Sequence, residues 1–166
     1  MAVDLKALMA RHARPGRIGW IGLRPARLQP VVQADSAEAR EAGLVGDHYV
    51  SGGKRAVTLL QGEHLAVIAA LAGLPGIDPA QLRRNVVVHG LNLAAVRHQP
   101  LRLGSALVRI SGPCAPCSRM ETILGPGGYN AMRGHGGYYA EVLEPGRFAL
   151  GDAVLPEARE TTERDT

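Results

Sequence analysis

The apolar runs of this chain are short, and glycine or proline closes them. "GRIGWIGLRP" (16–25), "QPVVQADS" (29–36), "AVTLLQ" (56–61), "RRNVVVHG" (83–90), "PLRLGS" (100–105) and "ALVRISGP" (106–113) each read as one strand. "YYAEVLEPGRFALGDAV" (138–154) reads as two strands around the turn "EPGR". With 21 glycines and 11 prolines, turns recur too often for a helical bundle. One segment differs: "GEHLAVIAALAG" (62–73) places Leu65, Ile68 and Leu71 at helical spacing, with Gly73 as a stop. "AQL" (80–82) and "SRMETIL" (118–124) predict shorter helical turns. Many short strands and one clear helix predict a mainly β domain, barrel-like, with a few short α-helices. A doubly wound α/β fold would need more amphipathic helices than the chain contains.

At 166 residues the chain is the size of one domain, long enough for a core without disulfide staples. Residues 16–155 form the expected domain. Residues 1–15 precede it as a helical or extended segment in which Val3, Leu5, Leu8 and Met9 suggest a short amphipathic helix. Residues 156–166, charged and poor in apolar groups, read as a frayed tail. The formal charge of +4 comes from scattered arginines and two lysines, Lys6 and Lys54, with no interleaved aromatics. Nucleic acid would call for basic clustering on one face; a small anionic ligand suits this pattern better. The longest apolar stretch, residues 65–77, is too short to span a bilayer and is broken by Gly and Pro. The N-terminus lacks the apolar core of a secretory signal. These features exclude a membrane role and point to the cytoplasm, where two cysteines serve chemistry more often than a structural disulfide.

Those two cysteines, Cys114 and Cys117, lie in "ISGPCAPCSRME" (110–121). Zinc takes four ligands, of which one CxxC supplies two, and none of the six histidines has an HxxxH partner. A thioredoxin-like dithiol belongs after a strand in a βαβ unit, whereas here the surroundings are β-turn-β. A pair of inert buried thiols is the third reading. Two glycine-rich loops accompany the motif. "GLVGDHYVSGGKRAVTLL" (43–60) carries Asp47, Lys54 and Arg55, and "GPGGYNAMRGHGGYY" (125–139) carries Arg133 and His135. Either is a solvated turn or a loop whose backbone N–H groups and basic side chains receive an anion. Neither matches the Walker A or GxGxxG patterns. In "LRRN" (82–85), Arg84 and Asn85 offer guanidinium and amide donors just before a strand. No carboxylate pair and no GxSxG elbow is present.

Taken in order, "GLVGDHY", "LRRNVVVHGLNL", "PLRLGSALVRISGPCAPCSRME" and "MRGHGGYYAEVLEPGRFALGDAV" resemble the MOSC family, the domain named for the C-terminal region of molybdenum cofactor sulfurases. The resemblance runs over residues 16–155 and implies a β-rich barrel that binds molybdenum cofactor, a molybdenum on a pyranopterin dithiolene with a terminal phosphate. The family's key cysteine, a sulfur carrier or direct molybdenum ligand, falls on Cys117 after Pro116; Cys114 matches a less constant position. Thiolate is a good soft ligand for a thiophilic metal. On this resemblance Arg84, Asn85, Lys54, Arg55, Arg119, Arg133 and His135 are candidates to hold phosphate and pterin, and Asp47 to orient an arginine or accept from pterin N–H groups.

The resemblance implies a reductase of N-hydroxylated or related N–O compounds, with Cys117 on molybdenum, a small-molecule substrate and an external flavin or iron–sulfur electron donor. Its alternative is a non-redox carrier of persulfide or cofactor, and a structural anion-binding β-domain with an inert CxxC comes third. The pyridoxal-phosphate desulfurase region of full-length sulfurases has no counterpart in these residues, so pyridoxal phosphate is not expected.

Overall fold

A computed structural model describes residues 2–158. Seven strands close into a barrel: β1 (Gly16–Leu23), β5 (Val57–Gln61), β6 (Val86–His89), β7 (Pro100–Leu103), β8 (Ala106–Pro113), β9 (Tyr138–Glu144) and β11 (Ala153–Pro156). Their order around the wall is β11-β7-β8-β9-β5-β6-β1, and β1 returns to β11 through Gly16↔Val154. Closure leaves the wall without the exposed edges that an open sheet presents. The short β2 (Val32–Gln33) hangs on the end of β1. A three-stranded sheet of β3 (Ser36–Arg40), β4 (Gly43–Leu44) and β10 (Gly146–Ala149) adds Ala37, Ala39, Leu44 and Phe148 to the barrel's interior cluster.

All wall pairings are antiparallel except β5–β6, whose register is Leu59↔Val86. A parallel pair cannot be joined by a hairpin and needs a crossover. Here the crossover carries α2 (His64–Ala72) and α3 (Pro79–Leu82). It explains the unbroken "VVV" of β6. Val86 and Val88 point into the barrel, while Val87 faces outward into a second cluster with Leu60, Ile68 and Leu82. Both faces are buried, so the run does not alternate. In β1 a register shift between Ile18 and Trp20 puts Ile18 and Ile21 inside and sends Trp20 to the outer cluster, as a bulge does. Each such fully buried aliphatic side chain contributes about 1.5–3 kcal/mol over leaving it exposed.

Two more helices cover the outer cluster. The first, α4 (Ser118–Leu124), buries Met120 and Leu124 and has the bounds expected from the sequence. The second, α5 (Gly128–Met132), lies inside the stretch read as a fifteen-residue loop. It is too short to show a period, and its signal is only that Ala131 and Met132 are apolar and buried.

Other boundaries also moved. The strand expected over 29–36 is reduced to Val32–Gln33, with β3 following. "YYAEVLEPGRFALGDAV" yields three strands, because Gly151 at φ +84 and the Asp152 carboxylate, accepting from Ala149 N–H at 2.8 Å, make a turn between β10 and β11. Arg83 to Asn85 precede β6 rather than begin it: Arg83, at φ +57, is the left-handed cap of α3. The tail begins later than residue 156, since Pro156 ends β11 and Glu157 binds Arg102 at 2.6 Å; the remainder of the expected tail, residues 159–166, lies outside the described residues. At the other end α1 (Leu5–Met9) forms behind an Asp4 cap, but Val3, Leu5, Leu8 and Met9 all stay exposed. No helix among the described residues is long and apolar enough to cross a membrane.

Candidate functional site

The two cysteines face different surroundings because strand and helix meet between them. β8 ends at Pro113, paired with Tyr138, and the next amide, Cys114 N–H, donates to Gly137 O at 2.8 Å. That bond keeps Cys114 on the wall, buried at 4% exposure. Pro116 then favours an extended residue before it, and Cys117 caps α4 with φ −108° and ψ 169°. Its side chain makes no capping bond and is exposed, and both thiols are free.

Cys114 lies among donors. The Tyr139 phenol is raised above its ordinary range first by burial and then by the neighbouring Cys114. Arg55 lies over the Tyr139 ring, 4.9 Å from its centroid. Arg84, 8% exposed, donates from Nε to Gly136 O at 2.7 Å and from Nη1 to Leu82 O at 3.0 Å. Its Nη2 is buried with no partner. A Cβ on Gly136 would meet the Cys114 carbonyl at 2.5 Å and Arg84 Nη2 at 3.5 Å, so glycine allows this close approach. In front of this group lies a cleft of about 350 Å³ lined by Cys114, Pro116, Tyr129, Arg133, Tyr138 and Arg97.

Cys117 instead lies near Arg83, with Arg119 two residues further along the chain. Arg83 donates to the carbonyls of Gln29 at 2.6 Å, Arg27 at 3.0 Å and Ala26 at 3.1 Å, and Arg119 donates to Arg27 O at 3.0 Å. Burial lowers the basicity of Arg83, and the charges of Arg119 and Arg24 lower it further; Asp47 and Cys117 pull the other way. A cluster that disfavours its own positive charge attracts anions.

Asn85 and Asp47 form a buried hub beside these arginines. Asn85 Oδ1 accepts from Thr58 N–H and from its hydroxyl, both at 3.1 Å, and Nδ2 donates to Gly22 O at 3.0 Å and Asp47 Oδ1 at 3.2 Å. Asp47 binds Arg24 through Nε at 3.0 Å and Nη2 at 2.8 Å, and also accepts from the Arg24 N–H at 2.7 Å. Burial pushes the Asp47 carboxyl up, but Arg24 and the Tyr49 N–H outweigh burial and hold it below the ordinary value. In both residues the side-chain polar atoms are bonded within the protein.

The remaining candidates separate. Lys54 and Arg55 are exposed on a 3₁₀ turn held by the Ser111 hydroxyl, which donates to the Lys54 carbonyl. Arg133 stands exposed at the cleft rim. His135 packs edge-on against His64, ring centroids 4.9 Å apart, and does not line the cleft. Its Nδ1 is buried without a partner; burial and the His135 charge together lower the His64 pKa. Among the described residues no group of three or more His, Cys, Asp or Glu is placed to hold a metal ion. Sequence reasoning missed Arg24, Arg83, Arg97, Tyr129, Tyr138 and Tyr139. Arg83 had a visible signal, as the first arginine of "LRRN"; the tyrosines read only as loop or strand.

The model of the MOSC domain family matches residues 46–155. No curated protein matches the sequence. Among solved structures, the YuaD protein from Bacillus subtilis superposes with a TM-score of 0.75 at 19% identity, over 85% of this chain and 94% of that one. YiiM from Geobacillus stearothermophilus gives 0.73 at 19% identity, over 89% and 78%. YiiM from Escherichia coli gives 0.67 at 23% identity, over 86% and 70%. At these identities the likeness is one of fold.

Proposed function

The chain belongs to the MOSC domain family, and on that premise we propose that it holds a molybdenum cofactor against Cys117 and reduces N-hydroxylated or related N–O compounds. The observation that carries this reading is the asymmetry of the two thiols. Cys117 is exposed and lies near Arg83, with Arg119 two residues along the chain, whereas Cys114 is buried on the barrel wall. A metal-ligating thiolate needs access and a positive surrounding, and Cys117 has both.

The residues fit the group. Molybdenum in a dithiolene is thiophilic, and one accessible thiol is available to it. The cofactor's phosphate is anionic, and Arg83, Arg119, Lys54 and Arg55 carry no carboxylate partner among the described residues. Arg84 Nη2 adds a buried donor without an acceptor. The bound cofactor would supply two-electron chemistry at an open metal position. The chain's part is to ligate through Cys117, orient the phosphate through its arginines, and offer the cleft beside Cys114 to the substrate. An external flavin or iron–sulfur protein supplies the electrons.

Metal analysis of protein made in a cofactor-competent host tests this reading. Molybdenum near one equivalent in the parent and its loss in Cys117→Ala support it; equal molybdenum in both refutes the ligand assignment. The exposure of Cys117 also suits a carrier that hands sulfur or cofactor to another protein. Persulfide on Cys117 in molybdenum-free protein would favour that second reading.

A further inference from the structure

The cleft beside Cys114 is lined by cations and aromatic rings and by no acid. Ion pairs among the described residues engage Arg24, Arg40, Arg102, Arg109 and Arg147, but neither Arg97 nor Arg133. Both of these stand at the cleft, Arg97 with its guanidinium carbon 5.7 Å from the Tyr138 ring centroid. Tyr129 contributes a second ring, and Gly134, Gly136 and Gly137 leave part of the lining without side chains. Behind Gly136 lies the unpartnered, buried Nη2 of Arg84, so the field in the cleft is positive from a third direction.

We propose that this cleft binds a small anionic aromatic compound, a single ring bearing a carboxylate or phosphate, with the anion on Arg97 and Arg133 and the ring between Tyr129 and Tyr138. Guanidinium forks match carboxylate and phosphate oxygens. Tyrosine rings provide flat apolar contact at low entropic cost. A cavity of about 350 Å³ lies at the small end of the roughly 300–1,000 Å³ typical of ligand sites. One substituted ring is on the scale of that space. If the function proposed above holds, the cleft is the substrate's seat, and the substrate class is an anionic N–O aromatic; the binding itself does not depend on that reading.

Titration calorimetry of the purified chain tests the site with phenyl phosphate, benzoate, inorganic phosphate and phenol as probes. At least one of the two anionic aromatics should bind ten-fold or more tighter than both inorganic phosphate and phenol. Arg97→Ala and Arg133→Ala, at exposed positions, should each weaken it about ten-fold, while Arg40→Ala, outside the cleft, should leave it unchanged. Inorganic phosphate or phenol binding as tightly as the aromatic anions, or normal affinity in the Arg97 and Arg133 variants, would overturn the proposal. Molybdenum measured on the same preparations keeps the two readings apart. Anion binding without any molybdenum in the cofactor-competent host overturns only the cofactor reading, and molybdenum without anion binding overturns only this one.

Discussion

Replacing Asn85 by alanine should damage the fold rather than a ligand site. The residue is fully buried, and its amide joins three segments: Thr58 on β5, Gly22 on β1 and Asp47 in the loop after β4. In the alanine variant the Thr58 N–H and the Gly22 carbonyl lose their Asn85 partners where water cannot replace them. Each buried unsatisfied group costs about 1–3 kcal/mol, so two cost about 4 kcal/mol, a large part of the roughly 5–15 kcal/mol that holds a domain together. With a urea m-value of about 2 kcal/mol/M, the unfolding midpoint should fall by about 2 M at unchanged m. Asn85→Asp should be worse, since it sets a second carboxylate beside Asp47. Urea unfolding followed by far-UV circular dichroism reads both. A loss below about 1 kcal/mol for Asn85→Ala, or unchanged stability together with lost molybdenum, would refute the reasoning and return Asn85 to the ligand.

Asp47 is held below its ordinary pKa of 3.8, so its stabilising contribution is complete above that value and is lost as pH falls through the folded-state pKa below it. The melting temperature of the parent should therefore drop on acidification below about pH 4, and Asp47→Asn should show a lower melting temperature at neutral pH and a weaker dependence over the same acid range. Native alkylation should modify one thiol rapidly, assigned by mass spectrometry to the exposed Cys117; Cys114 should react only on unfolding, and fast labelling of both would contradict its burial. Gly137→Ala should cost on the order of 3 kcal/mol, because the residue sits at φ +85 and its new Cβ would press into the Leu59 carbonyl oxygen; thermal unfolding measures it, and a melting temperature within 2 °C of the parent would disprove the clash.

Strand runs were legible in the sequence because a buried strand needs a short apolar segment with turn residues at its ends, and "AVTLLQ" and "ALVRISGP" provide that locally. The α4 boundaries and the Pro116–Cys117 landmark were local too. What escaped were features whose cause lies elsewhere in the chain. α5 is a helix because Met132 has Leu60 and Met120 in its cluster, which no window of five residues reveals. Asn85, read as a donor for a ligand, has its amide bonded to residues 27, 38 and 63 positions away.

The sequence by itself determined a β-rich chain with two thiols next to a strand end and an excess of arginine. Only the tertiary structure decided which thiol is which. Barrel closure pairs β8 with β9 and pulls Cys114 against Gly137, while the start of α4 leaves Cys117 exposed and near Arg83 from the segment before β6. It also brings Arg97, Cys114, Arg133 and Tyr138 to one cleft. Pattern and composition act over a few residues, but a site is set by which distant residues the closed wall places side by side.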